Sequence, residues 1–286
     1  MKIKKLYNEI CKILQAAYPL DYESKAELLF CHVLNCSKSE LILREYEKII
    51  PSKKIKLIQE YCTCCIKGEP IQYICGKTEF YGIEIQVGPG VLIPRPETEL
   101  LIDEVLKIYN GKGNILDICT GSGAIALALA KKIKPSTKII ASDISTNALK
   151  YAEINKKLLR TPQITLLQSN LFDSISNKQK FTIITANPPY VTEKEYKKLN
   201  KTIKDYEPQN ALVAGFDGLN ILRKIAESAK AYLNVDGTLI CEIGGYQGED
   251  VKRIFQKYYK NTQIIKDYNG LDRIVRGTLS PASATV

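Results

Sequence analysis

The chain has 286 residues, 45% hydrophobic and 25% charged, the proportions of a globular protein long enough for two domains. No run approaches a membrane span, and the start, Met1-Lys-Ile-Lys-Lys, lacks the apolar core of a secretory signal. Nine cysteines, an odd number without framework spacing, argue against a disulfide scaffold and for reduced thiols in a cytoplasmic protein.

The net charge of +10 is compatible with a nucleic-acid partner. Only seven of the 41 basic residues are Arg, however, and Lys, Ile, Asn and Tyr all have AT-rich codons, so genome composition accounts for much of the excess. The one local cluster, Lys194, Lys197, Lys198, Lys201 and Lys204, reads as a solvated helix face more readily than as a surface for RNA or an acidic protein.

Residues 1–72 read as a helical bundle of about four segments. Leu6, Ile10, Ile13 and Leu14 share one helical face, and Ala26, Leu29, Phe30 and Val33 share another. Breaks are expected at Pro19-Leu-Asp21 and Asn35-Cys-Ser-Lys-Ser39, with a new helix from Pro51-Ser52. Cys62-Thr-Cys64-Cys65 has the look of a metal site, but no second Cys pair stands at ligand spacing and His32 is the only histidine, so no metal is expected. Residues 73–90 form a β-hairpin linker around Phe80-Tyr-Gly82. A stiff loop follows, in which Pro94 and Pro96 hold Arg95 extended beside Glu97 and Glu99.

From 91 to 279 strands and helices alternate. Strands are expected at 114–119, 138–142, 163–168, 181–186, 237–242, 262–266 and 271–276, with helices around 123–132, 145–159, 218–233 and 247–258. This pattern predicts an α/β fold with a doubly wound, mainly parallel seven-stranded sheet, its last two strands an antiparallel hairpin. Ligands of such sheets bind at the carboxyl ends of the strands. Residues 280–286 read as a tail.

Four strand ends carry candidate chemistry. Asp117-Ile-Cys119-Thr120-Gly121-Ser122-Gly123-Ala-Ile-Ala126 joins the first strand to its helix, with glycines that permit a tight turn. Gly-x-Gly-x-x-Ala alone also fits a dinucleotide site. Asp117 beside the loop repels a pyrophosphate and suits the ammonium of S-adenosylmethionine. Asp143 ends the second strand, where an acid accepts ribose hydroxyls. Asn170-Leu171-Phe172 ends the third, with an amide for an adenine edge and apolar cover for its face. After the fourth comes Asn187-Pro188-Pro189-Tyr190, a set of oxygen acceptors almost without main-chain donors, plus an aromatic face. A planar NH2 group fits that set.

Together with Gly68-Glu-Pro-Ile71, the Ile93-to-Glu99 loop, Glu207-Pro208, Ala211-Leu-Val-Ala214 and the stretch from Asp267 to Val275, these motifs resemble the bacterial peptide-chain release factor glutamine methyltransferases. The resemblance runs from about residue 68 to 276 and is looser over the bundle. It implies a Rossmann-like fold that binds S-adenosylmethionine through Asp117, Cys119, Thr120, Gly121, Ser122, Gly123, Asp143, Asn170, Leu171 and Asn187. Asn187, Pro188 and Tyr190 would carry catalysis, and Pro189, Arg95 and Glu97 would join them in substrate binding. The bundle would recognise a release factor whose Gly-Gly-Gln loop glutamine is methylated, by a monomer that needs no nucleic acid or membrane. Cys119 and Asn170 depart from the common Gly and Asp, which bears on cofactor affinity. The rival readings are an adenine-amino methyltransferase, a nicotinamide-dependent oxidoreductase and a non-catalytic S-adenosylmethionine sensor. Against the first, residues 1–85 carry only 13 basic and 11 acidic side chains and no helix-turn-helix or zinc module.

Overall fold

Helix α1 (Ile3–Ala17) turns Ile3, Leu6, Ile10 and Leu14 inward, each 2% exposed or less. In this computed structural model, which describes residues 1–280 (of residues 44 and 45 the backbone only), Ile13 does not join them and is 48% exposed. Three residues on from Ile10 it falls to the far edge of the stripe, and Leu14 takes the inward place. Helix α2 (Tyr22–Leu34) buries Ala26, Leu29, Phe30 and Val33 and ends at Asn35 in the left-handed conformation, a common stop for a helix. Helix α3 (Ser52–Ile66) adds Ile58, Cys62 and Cys65, and these side chains share one core. Fully burying a Leu, Ile or Phe contributes about 1.5–3 kcal/mol, so this core can hold a unit of under ninety residues together. Burial pushes the Cys62 and Cys65 thiols up to about 11, which makes them neutral packing groups. His32 packs its ring 5.8 Å from that of Tyr61.

The chain divides into two compact units, and the first takes in residues 1–77 together with Lys201–Tyr206. The returning segment includes the short helix Lys201–Lys204, and its Tyr206 hydroxyl donates to the Lys67 carbonyl. Nothing in the local sequence forecasts this return, because its evidence is tertiary. The lysine run seen in the sequence is split by it, with Lys201 and Lys204 in the first unit and Lys194, Lys197 and Lys198 in the second.

The second unit, Thr78–Asn200 with Glu207 onward, opens with most of a hairpin, β1 (Lys77–Phe80) and β2 (Ile83–Gln86). Tyr81 and Gly82 between them both have positive φ, the conformation that a two-residue hairpin turn demands. Tyr81 pays for its strained backbone with a hydrogen bond, its N–H donating to Glu99 at 2.7 Å. Helix α4 (Glu99–Ile108) follows the proline-rich loop. Then come β3 (Ile115–Ile118), α5 (Ala124–Lys132), β4 (Ile139–Asp143), α6 (Thr146–Leu158), β5 (Ile164–Gln168) and β6 (Phe181–Ala186). Helix α7 (Asn220–Ala229), β7 (Leu233–Glu242), α8 (Gly248–Gln256), β8 (Tyr259–Lys266) and β9 (Asp272–Leu279) complete it.

The sheet order is β5-β4-β3-β6-β7-β9-β8. The five strands from β5 to β7 run parallel, and β9 is antiparallel to both of its neighbours. This is the seven-stranded, doubly wound sheet with a terminal hairpin that the alternation predicted. In α5 every residue from Ala124 to Ala130 is buried, as expected of a helix without a polar face laid against a sheet. The expected tail lies, from residue 281, outside the described residues.

Candidate active site

The carboxyl ends of β3, β4, β5 and β6 open onto a cavity of about 240 Å³ in the second unit. Its wall includes Cys119, Thr120, Gly121 and Ser122 after β3, Asp143 at the end of β4, Asn170 and Leu171 after β5, and Asn187 and Pro189 after β6. Four separate strand ends, far apart in sequence, thus meet at one place because the parallel register brings them level. Gly123 caps α5 at φ +83°, and a Cβ there would stand 3.0 Å from Leu127 and 3.3 Å from Ala152. Only glycine meets both demands.

Two wall residues carry backbone strain. Cys119 and Leu171 both lie in the left-handed region, at φ 57° and 51°. For side chains with a Cβ this costs on the order of 1 kcal/mol each and is concentrated at functional sites. The Cys119 thiol is pushed well up by burial and by the Asp143 and Asp117 carboxylates, so it is an uncharged group in the wall.

Asp143 anchors the loop that faces it. One carboxylate oxygen accepts the Gly121 N–H at 2.9 Å and the other accepts the Ser145 N–H at 2.8 Å. Burial raises its pKa while those backbone donors oppose the rise. Each oxygen keeps a lone pair for a further donor. Asn170 donates its NH2 to Asp173 at 3.1 Å, which leaves its carbonyl end free to accept.

Two of the candidate residues stand outside the cavity wall. Asp117 is fully buried and does not line the cavity. Thr185, its neighbour in register on β6, donates to one of its oxygens at 2.8 Å, and Thr120 donates to the other at 2.5 Å. Its carboxylate therefore ties strand to loop from beneath. Phe172 likewise turns away, stacking on Tyr232 with ring centroids 4.7 Å apart. Apolar cover comes instead from Leu171, Ile144, Val213 and Ile221. Ile144, 58% exposed, is the kind of outlying apolar side chain that sequence patterning discards as surface.

Burial lifts Asp117 to about 7. An acid whose folded pKa exceeds its unfolded value near 3.9 binds its proton more tightly when folded, so its contribution to stability is greatest at low pH and is lost as pH rises from about 4 through 7. Asp117→Asn removes that proton exchange. The melting-temperature difference between parent and variant should accordingly shrink across this window and level off above it. Thermal scans at several pH values check this, and a pH-independent difference counts against the assignment.

A smaller cavity of about 40 Å³ adjoins the large one, lined by Leu92, Arg95, Asn187, Pro188, Tyr190, Val191, Ala211, Leu212 and Glu242. Leu92, Asn187 and Ala211 belong to both walls. The Asn187-to-Tyr190 loop is pinned by Gln247, which donates to the Tyr190 carbonyl at 3.0 Å, and by Val191 N–H on the Leu212 carbonyl at 2.9 Å. Gly218 makes room for it, since a Cβ there would lie 2.3 Å from the Tyr190 oxygen. Arg95 pairs at 2.5 Å with Glu207, whose other oxygen accepts the Ile93 N–H at 3.1 Å. Glu97 lines neither cavity.

Behind the loop stands Glu242, at the end of β7 and 1% exposed, a residue that sequence reasoning missed. It accepts from the Thr98 hydroxyl at 2.5 Å and from the Tyr190 hydroxyl at 3.1 Å. Thr98 in turn receives the Asn187 NH2 at 3.2 Å. Burial raises the Glu242 pKa, opposed by Thr98, Arg273 and Tyr190, and burial with the nearby Glu242 charge also raises that of Tyr190.

Residues 5–76 match the family model described as PrmC N-terminal domain, and residues 96–206 match the Methyltransferase small domain. The release factor glutamine methyltransferase of Thermodesulfovibrio yellowstonii is 43% identical over 88% of this chain and 90% of its own length. That of Clostridium acetobutylicum is 36% identical over 96% and 98%. Among solved structures, a T. thermophilus 16S rRNA N2 G1207 methyltransferase in complex with AdoMet and guanosine superposes with a TM-score of 0.54 at 14% identity, covering 71% of this chain and 49% of that one. At such low identity the likeness speaks for the fold.

Proposed function

The chain belongs to the release factor glutamine methyltransferase family, and from that premise we propose that it transfers a methyl group from S-adenosylmethionine to the side-chain amide nitrogen of the glutamine in a release factor's Gly-Gly-Gln loop. The observation that carries this reading is that Asn187 stands in the walls of both cavities. One residue can then touch a donor in the larger space and a small planar acceptor group in the other.

The large cavity suits such a donor. Among the described residues Asp143 is the only charged one in its wall, and none there is Lys, Arg or His. A nucleoside with a cationic tail is at ease there, whereas the pyrophosphate of a nicotinamide dinucleotide finds no cationic side chain. The donor supplies an electrophilic methyl on a sulfonium. The protein must orient a nitrogen whose lone pair is delocalised into its own carbonyl. The Asn187 side-chain oxygen and the Pro188 carbonyl offer two acceptors for the two N–H groups. As positive charge develops on the nitrogen these acceptors bind it more strongly than in the ground state, which lowers the barrier. Tyr190 bounds the slot with its ring, and its hydroxyl is occupied by Glu242.

Mass spectrometry of a bacterial release factor incubated with the protein and S-adenosylmethionine tests the reading. One methyl on the loop glutamine is expected, and a Gln→Ala loop variant should abolish it. Methylation of an oligonucleotide instead, with salt-dependent binding, would overturn it.

A further inference from the structure

We propose that Thr98 and Glu242 are positioning residues that fix which end of the Asn187 amide faces the methyl-transfer site. The idea rests on the proposed function above.

An asparagine amide has one donating and one accepting end of nearly equal size, so packing alone does not choose between its two orientations. Here the chemistry chooses. An ionised carboxylate only accepts, and Glu242 is met by two hydroxyls, one on each oxygen. The Thr98 hydroxyl has a single proton, and the 2.5 Å approach commits it to Glu242. What Thr98 then presents to Asn187 at 3.2 Å is lone pairs alone. Only the NH2 end of Asn187 can face it. The reversed amide would set oxygen against oxygen with no proton between them. The side-chain carbonyl of Asn187 is thereby turned away from Thr98, as an acceptor for the nitrogen to be methylated. The three groups come from β7, from the loop before α4 and from the loop after β6, and both Thr98 and Glu242 are buried, at 3% and 1% exposure. Water is poorly placed to substitute for either. Thr98 in the larger cavity's wall and Glu242 in the smaller one's, two buried polar side chains, acquire a purpose in this relay.

Three substitutions probe it, each assayed on the full chain with a release factor and methyl-labelled S-adenosylmethionine. Thr98→Val keeps the shape but offers Asn187 nothing, and kcat should fall about tenfold to a hundredfold, as when an orienting partner behind an active group is lost. Thr98 lines the larger cavity, but Val keeps its shape there, so the KM for S-adenosylmethionine should stay within about threefold. Thr98→Ser restores the hydroxyl and should recover most of the rate. Glu242→Gln can donate to Thr98, release its proton toward Asn187 and favour the reversed amide, so it should lose rate with little change in melting temperature. In an Asn187→Ala background Thr98→Val should cost nothing further, since residues acting through one another are non-additive. If Asn187→Ala itself turns over normally, the reading of the site has failed. If Asn187→Ala is crippled while the Thr98 and Glu242 variants keep the parental kcat, or if the Thr98 and Asn187 losses multiply, the relay alone is wrong.

Discussion

Asn187→Ala is expected to lower kcat by about 10²–10³-fold, roughly 2.7–4 kcal/mol, the usual loss for one preorganised hydrogen-bonding group at a developing charge. The argument is differential. An amide nitrogen in the ground state carries little charge, so an acceptor beside it contributes modestly. When its lone pair turns toward the donor's carbon the nitrogen becomes positive, and the same acceptor gains strength in a partly buried site. Losing it should therefore weigh on kcat more than on the KM for the release factor. Asn187 also borders the larger cavity, so a smaller rise in the KM for S-adenosylmethionine is expected. Single-turnover methyl transfer at saturating substrates measures the effect. A variant within about threefold of the parent would show that the nitrogen is oriented by other groups.

How much of this site was legible beforehand follows from the reach of local patterns. The Asn187-Pro-Pro-Tyr190 loop, Asp143 and the glycine turn each sit within a few residues of a strand end, and strand ends announce themselves through apolar runs that stop at breakers. The sheet is legible for the same reason, because alternation of strands and helices leaves few topologies. Thr98 and Glu242 are 144 positions apart, and no periodicity links them. Each taken alone reads as an ordinary cap or strand residue, and their meaning exists only in contact. Asp117 shows the opposite case. Its position beside the loop was read correctly, but its depth was not, since the two threonine hydroxyls that occupy it come from a turn three residues on and from a strand 68 positions away. Ile13 failed for want of angular precision, having been added to a helical stripe whose inward place its neighbour Leu14 holds.

Asp143→Asn should weaken binding of S-adenosylmethionine by about tenfold to a hundredfold, the range spanned by losing charge-assisted hydrogen bonds worth ~1.5–3 kcal/mol. Two contributions combine. The carboxylate can accept from both hydroxyls of a ribose, and an amide offers one accepting end where the acid offers two. In addition both of its oxygens hold backbone N–H groups, at Gly121 and Ser145, and an amide can keep only one of them without a clash of donors. The glycine turn then loses an anchor on the side that faces the cavity. S-adenosylhomocysteine shares the ribose, so its affinity should fall in parallel, and titration calorimetry with both compounds separates a ribose effect from one on the sulfonium. There is a pH signature as well. Burial raises the Asp143 pKa, and the protonated acid loses an accepting site, so affinity in the parent should decline on acidification at a higher pH than an ordinary carboxylate would produce. The Asn variant has no such proton to gain and should bind with weaker but flatter pH dependence. Equal affinity in the two proteins at neutral pH would move the ribose contact elsewhere in the wall.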